Sequence, residues 1–526
     1  MTETQDSFFP VVIIGAGLAG LTAAVHLAER GITPIVLEAD SRWPGGRLSG
    51  GDADTFEYKG RQWSYMPDHG VHAVWGNYHN LRNLIEQSTN TTLVPSEGEE
   101  WINRWGRAVR AVEAGTAVRS RWIPAPFHYL QLLLRPRFWR TISPWDFLSL
   151  PGFLFSILWT IGFDPIREKT ALDGLMMQEY FRGWTPNLKA TFKGLGENLL
   201  AAPYETISLS AFIAALRFYT VLRRDSWGMH YFPGNSHDSL IAPLVHSIES
   251  SGGRVMQGVT AQALERCEGG WRIIVEDNVR PGRRSFLAQN VILATYAPSA
   301  QRLLLAGADT APEAEKLRFP GGVRSTVVRA WFSKSPRKGT SGGMFTGDFV
   351  PDNFFWLHRM YGEFREWHEA TGGSAIEVHL YGTDSLLDQP EKNLLILAVD
   401  DIQRAFPEVR GSFVYGAVRR NSRTHTQFRV PTNDSLHVET PWPGIYACGD
   451  WIGYPSPAMW MERAVVTGIA AANQVLKQHS KAEFPIQQIQ PPEPLVRILV
   501  LVVSFVRLLF TPIIWAGRRA RGRQKG

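Results

Sequence analysis

A chain of 526 residues, 44% apolar and 20% charged, has globular composition and enough length for more than one domain's core. The net charge of +6 is modest for that size, and the last nine residues, RRARGRQKG, carry five Lys/Arg and no acid. The basic surplus is therefore partly a tail, and with no zinc-finger, RNP or helix-turn-helix signature the chain reads as having no nucleic-acid partner.

Two cysteines, Cys267 and Cys448, exclude a disulfide framework and suit a reducing compartment. Neither has a C-x-x-C neighbour, and both read as small buried hydrophobes. The start, MTETQDSFFP, lacks the basic region and apolar run of a secretory signal. Nineteen tryptophans suggest a surface that meets lipid or an apolar ligand.

Val11 to Ile14 is a run of β-branched residues, the composition of a buried parallel strand. G-x-G-x-x-G follows as Gly15, Gly17 and Gly20, then a helix over Leu21 to Arg30, stopped by Gly31. A second strand, Ile35 to Leu37, ends at Glu38, 18 positions past Gly20 (38 − 20). That spacing brings an acid to a ribose hydroxyl. Gly15 makes the tight turn, Gly17 admits a pyrophosphate and Gly20 lets helix pack on strand. The helix N-terminus aims unpaired N–H groups at the phosphates. A glycine turn without a ligand is the plain alternative. The register of strand, turn, helix, strand and acid favours a dinucleotide.

Pro44-Gly45-Gly46-Arg47 places a close-approaching backbone and a phosphate-capable guanidinium just past the acid. His69, His72 and His79 lie close in sequence, but no acid or cysteine completes a metal set, so no metal is assigned. Residues 95 to 125 suggest short strands and turns. Pro124 to Phe163 is dense in Leu, Phe and Trp. Its second run approaches bilayer length but is interrupted by Asp146 and Pro151, so it reads as a buried helix pair or an apolar entrance dipping into a membrane.

Amphipathic helices are expected at Ala171 to Phe181, Leu209 to Leu222 and Leu240 to Glu249. Strands are expected at Arg254 to Val259 and Val291 to Ala294, with a hairpin between Ala263 and Val275. Thr326 to Phe332 and Ser374 to Tyr381 are β-rich, and Leu394 to Phe406 is helical. Near the end, Ile445 to Ala447 is a short strand, Gly449-Asp450 a turn, and Met459 to Leu476 a helix rich in small residues. Its positive N-terminus suits negative charge on a reduced cofactor ring, and Asp450 suits a sugar hydroxyl.

Strand–GxGxxG–helix–strand–Glu followed by G-G-R resembles the opening of the FAD-dependent amine oxidase and carotenoid desaturase superfamily. The run ETPWPGIYACGDW before MERAVVTGIAAAN is similar to the carotenoid desaturases, whose G-D stands where many amine oxidases have G-E. It is most similar to the desaturase/methyltransferase branch that makes aromatic end rings. The resemblance spans Val11 to Leu476, specific at the two ends and loose between. It implies FAD, with Arg47 at the pyrophosphate, Gly70 and Val71 near the flavin ring, and Val259 at the adenine. Gly15, Gly17, Gly20, Glu38, Gly46, Gly449, Asp450 and Met459 complete the expected cofactor set. His69, His72, His79 and Arg463 are candidates for the flavin's surroundings, and no catalytic residue is distinguished.

Leu495 to Trp515 is about 21 residues of mostly apolar helix. Arg497, Ser504, Arg507 and Thr511 fall within about 80° of arc. That narrow stripe suits a helix lying in a membrane interface with its arginines reaching headgroups; a spanning anchor is second and a core helix third. The basic tail favours anionic lipid on the cytoplasmic face.

The expected architecture is α/β (α+β overall). A Rossmann-like FAD-binding domain is assembled from 8–95, 226–300 and 436–480, a substrate-binding, membrane-facing domain from 96–225 and 301–435, and a membrane-associating helix spans 495–517 with a basic tail to 526. The expected function is oxidation of a hydrophobic polyene or isoprenoid, by desaturation, isomerisation or end-ring modification with hydride transfer to flavin. A quinone or oxygen would receive the electrons. The rivals are a flavin amine oxidase for a small amine, and a non-catalytic prenyl-lipid binder like the Rab escort and GDP-dissociation-inhibitor group.

Overall fold

The structure, a computed structural model, describes residues 8–168, 172–278, 283–337 and 339–523, leaving out the side chains of 116, 117, 283 and 510–523. Val11, Val12 and Ile13 are wholly buried because their strand, Phe8–Ile14, has parallel partners on both sides, Pro34–Glu38 and Arg283–Leu293. Arg254–Gln257 extends this parallel array on one side and Ile445–Ala447 on the other. Arg283–Leu293 is much longer than the sequence suggested. Its first half pairs antiparallel with Gly270–Asp277, which pairs in turn with Val259–Cys267. The first sheet thus has seven strands among the described residues.

Two helices cover one another beside this sheet. Leu18–Glu29 is buried from Leu18 to Ala28, which is why it is apolar all round. It starts three residues before the expected Leu21, directly after Gly17. Trp460–Gln478 lies against it so closely that a Cβ on Gly468 would come 2.6 Å from the Ala19 carbonyl oxygen. The small residues of that helix serve this contact.

A second sheet also has seven strands, in the order Phe413–Thr426, Gly322–Phe332, Ser374–Leu380, Asn353–Trp356, Gly342–Gly347, Glu99–Trp105 and Ala108–Glu113. Its pairings are antiparallel except the one between Gly342–Gly347 and Glu99–Trp105. The helix Glu391–Ala405 packs on it through Leu394, Ala398 and Ile402. The hairpin of Asp54–Tyr58 and Arg61–Tyr65 contributes Trp63 and Tyr65 to an aromatic cluster with Trp331, Phe364 and Trp367 of this second body.

Two expectations about the apolar segments change. Pro124 to Phe163 is not a buried helix pair. It is a chain of short pieces, Phe127–Leu134, Phe138–Thr141 and Pro144–Ser149, followed by one helix, Leu150–Gly162. Pro136 separates the first two pieces, and Pro144 and Pro151 each stand in the first turn of the helix they open. Asp146, read as an interruption, is buried: it forms a capping box with Ser143 and accepts from Asn187 Nδ2 at 2.7 Å. The large side chains point outward, with Phe127, Leu134, Trp145, Leu148, Leu154 and Phe155 exposed.

The terminal helix, Pro494–Arg523, packs on Leu150–Gly162, and a Cβ on Gly162 would meet Val503 at 2.1 Å. Arg507 does not reach away from the protein. It turns inward, pairing with Glu168 and donating to the Gly162 carbonyl at 2.5 Å. The opposite face, with Ile498, Leu501, Phe505 and Leu508, is exposed and apolar. Thr511 and the rest of the run to Trp515 lie outside the described side chains, and Ala171, where one helix was expected to begin, lies outside the described residues. After it only Met177–Phe181 forms a 3-10 turn.

Candidate active site

The carboxyl ends of the parallel strands open onto a cavity of about 890 Å³, near the top of the ~300–1,000 Å³ range of ligand pockets. Gly15 has φ +108°, and a Cβ there would sit 2.7 Å from the Ala294 carbonyl oxygen. A Cβ on Gly20 would be 2.1 Å from the Gly15 oxygen, whereas one on Gly17 would meet nothing within 4 Å. Gly20 is therefore a packing residue away from the cavity, and Gly17 leaves open space where a ligand's phosphates can approach.

Glu38 ends its strand with Oε2 accepting from Ala16 N–H and Oε1 from Asp40 N–H, both at 2.9 Å. Burial pushes its carboxyl upward, and these backbone donors pull it back. Gly45 donates to the Ala16 carbonyl at 2.8 Å, which lays the Gly45-Gly46 turn along the first glycine loop. Gly46, Arg47, Gly70, Val71, Val259, Gly449 and Asp450 all line the same cavity.

The two motifs meet directly. Arg47 Nη2 lies 2.7 Å from Asp450 Oδ2, although they are about 400 residues apart in the chain. Asp450 is almost wholly buried, while Arg47 is 27% exposed. The helix after Asp450 presents Trp460, Met461 and Ala464 to the cavity. Met459 does not reach it: its side chain is wholly buried at the helix N-cap, and Trp460 takes that place in the wall. Trp460 has φ +50°, a strained left-handed conformation, and its indole N–H donates to the Leu199 carbonyl at 2.9 Å.

The other candidates divide. His69 and His72 line the cavity; His79, at the start of helix His79–Ser88, does not. Burial first, then neighbouring imidazoles and Arg47, push His69 well down and His72 to about 3. Both are neutral near pH 7. Arg463 is not free to meet a ligand. It is wholly buried and donates to the carbonyls of Ile452, Ser456 and Ala458, fixing the loop that carries Asp450 into the helix.

One group escaped the sequence reading. Glu377, His379 and Tyr381 alternate along Ser374–Leu380 and its next residue, so all three share one face. His379 Nε2 lies 2.8 Å from Glu377 Oε1, and His379 Nδ1 lies 2.9 Å from the Tyr381 hydroxyl. His379 and Tyr381 both line the cavity. The signal was present as E-x-H-x-Y in a β-rich run, but that pattern names no family and fits any strand with a polar face.

FAD fits this cavity by several independent features. Open space faces Gly17, an acid closes the second strand, and the buried polar atoms His69 Nε2, His425 Nε2 and Thr295 Oγ1 on the wall have no protein hydrogen-bond partner. The residues that would hold it are Gly15, Gly17, Glu38, Gly46 and Arg47 on one side of the cavity and Gly449 and Asp450 on the other.

Comparison with known proteins agrees with this geometry. Residues 18–476 match the model of the flavin containing amine oxidoreductase family. The carotenoid phi-ring synthase of Streptomyces griseus is 25% identical over 497 residues, covering 89% of this chain and 88% of that protein. The 15-cis-phytoene desaturase of Narcissus pseudonarcissus is 24% identical over 488 residues, covering 89% and 80%. Among solved structures, cyclohexylamine oxidase from Brevibacterium oxydans superposes with a TM-score of 0.63 at 16% identity, covering 91% of this chain and all of that one. An oxidoreductase from Methanosarcina mazei gives 0.60 at 17% identity, covering 88% and 99%. These last two likenesses speak to the fold.

The chain belongs to the flavin containing amine oxidoreductase family. It is an FAD-dependent oxidoreductase, in which the bound flavin supplies a two-electron acceptor. The chain itself contributes a cavity lined by the glycine turn, Glu38, Arg47 and Asp450, with His69 and His72, both held neutral by burial, on its wall.

Proposed function

We propose that this enzyme oxidises a carotenoid, removing hydrogen from an end ring in the manner of a desaturase. The observation that carries the reading is the similarity, along 89% of the chain, to a carotenoid phi-ring synthase. The G-D turn, Gly449-Asp450, resembles the carotenoid side of the family rather than the amine oxidases. A water-insoluble substrate also suits the outer apolar surface.

That surface is the basis of a second part of the proposal, peripheral attachment to the cytoplasmic side of a membrane. Leu150–Gly162 and Pro494–Arg523 lie together and expose Leu154, Phe155, Leu158, Ile498, Leu501, Phe505 and Leu508. Pro144–Gly162 has the length and hydropathy of a membrane span, yet only 28% of it is buried in the protein. Because Arg507 is neutralised inward by Glu168, the outward face carries less charge than the sequence implied. Such a face gains about 25 cal/mol for each Å² moved from water into lipid. A membrane quinone, or oxygen, is the proposed electron acceptor.

The test is expression in a host that makes defined linear and cyclic carotenes, with products identified by mass and absorption spectrum. The reading requires a new, more unsaturated carotenoid. Unchanged carotenes, together with amine-dependent peroxide release by the purified flavoprotein, would overturn it in favour of an amine oxidase.

A further inference from the structure

Desaturation removes a hydride and a proton from neighbouring carbons. A bound flavin would supply the acceptor for the hydride, and the proton needs its own acceptor. The cavity wall offers one arrangement built for proton transfer, on the strand Ser374–Leu380. This inference rests on the reading in the preceding subsection.

Glu377 is wholly buried and fully engaged. Its Oε2 accepts from Arg329 Nε at 2.6 Å, and its Oε1 from Val71 N–H at 2.6 Å and from His379 Nε2 at 2.8 Å. Burial alone would push this carboxyl up, but Arg329 and His379 beside it hold it down at about 2. Glu377 is thus an acceptor only, which makes Nε2 of His379 the protonated nitrogen. In the neutral imidazole, Nδ1 is then left to accept the Tyr381 O–H, 2.9 Å away. The imidazole packs against the Gly70 backbone, where an added Cβ would come 2.9 Å from its Cε1. Asn353 Nδ2, at 3.3 Å, takes one lone pair of the Tyr381 oxygen and leaves the other for a proton from the cavity.

We propose that Tyr381 is the catalytic group that receives the substrate's proton, with His379 and Glu377 as its positioning relay. After hydride departure leaves a cation beside the polyene, the neighbouring C–H bond breaks. Its electron pair becomes the new C=C bond, and the proton passes to the Tyr381 oxygen. The phenolic proton moves in the same event to His379 Nδ1. The tyrosine ends neutral and the imidazolium rests against the Glu377 carboxylate. The proton returns along the same path to solvent after product leaves. Burial raises the Tyr381 hydroxyl well above its ordinary range, which suits a group that hands on a proton rather than ionising.

Two measurements on the holoenzyme decide this. In protein labelled with ¹⁵N-histidine, NMR should show His379 as the Nε2–H tautomer, and Glu377→Gln should convert it to Nδ1–H. Tyr381→Phe should lower kcat on the order of a hundredfold, with KM and flavin content within about twofold of the parent, a split a packing role would not produce. An Nδ1–H tautomer in the parent, or Tyr381→Phe retaining more than about a third of kcat, would overturn the relay. If Glu377→Gln fails to fold, the parent spectrum and Tyr381→Phe still decide. If the parent converts no carotene, the functional reading fails, while the tautomer continues to judge the relay without any substrate.

Discussion

Arg47→Ala removes the cation that joins the two ends of the cofactor cradle. The partner, Asp450, is only 4% exposed, so its charge cannot be rescued by water. Breaking a fully buried pair costs about 3–5 kcal/mol, and an exposed one about 0–1 kcal/mol. Arg47 is 27% exposed, which places this pair between the limits, at roughly 2 kcal/mol. At 1.36 kcal/mol per decade that is about thirtyfold. The loss should appear in flavin affinity, because both residues of the pair line the cavity. The assay is titration of deflavinated protein with FAD, followed by quenching of flavin fluorescence. Asp450→Asn should weaken binding on its own, yet the double variant should be less impaired than the sum, by about 1–2 kcal/mol, because the buried carboxylate is gone. Strict additivity, together with an Arg47→Ala dissociation constant within threefold of the parent, would refute the idea that this pair couples the motifs.

Gly20→Ala should yield protein with little bound flavin. The new Cβ would lie 2.1 Å from the Gly15 oxygen and 2.9 Å from the Ala294 Cβ, so helix Leu18–Glu29 must shift; a full complement of flavin in the purified variant counts against this. His358 is 6% exposed, and burial, offset in part by its contact with the Ala375 carbonyl, depresses its imidazole to about 3 from the ordinary 6.5. Because the folded value is the lower one, its stability contribution is whole above pH 6.5 and is lost as pH falls from 6.5 towards 3. Between pH 7 and pH 5, His358→Gln should therefore lose about 2 kcal/mol less stability than the parent in urea titrations; parallel pH dependences would exclude this role. Leu154→Glu with Phe505→Glu places two charges on the proposed membrane face, and should move the protein from sedimenting anionic vesicles to the supernatant with its flavin spectrum intact. Unchanged sedimentation would remove that face as the attachment surface.

Local backbone demands made much of the cofactor cradle legible from the amino-acid order alone. Gly15, Gly17 and Gly20 answer to distances of a few ångströms within one strand–turn–helix, and Glu38 follows at the end of the adjacent strand. The strands Pro34–Glu38 and Ile445–Ala447 were readable for the same reason: short buried runs with turn residues on either side. The G-D turn was readable as a motif, and with it the family.

What stands opposite a side chain is a long-range matter, and only the folded chain decided it. Met459 and Trp460 are neighbours in sequence, yet one is packed inside and the other lines the cavity. Arg463 had the charge for a ligand and was taken up by backbone carbonyls of its own loop. Arg507 suited a lipid headgroup by helical arithmetic, but Glu168 lies within 2.5 Å, and no periodicity in one helix reveals the acid on another segment. The prolines that cut Pro124 to Phe163 into short pieces were visible, but the outward turn of its side chains was not, since burial depends on the neighbours that tertiary packing supplies.

The meeting of Arg47 with Asp450, and of the face bearing Glu377, His379 and Tyr381 with the same cavity, belongs to this second kind. Sequence specified the chemical groups and the local bends. Folding two sheets together set the few ångströms between those groups, and on those distances their chemistry depends.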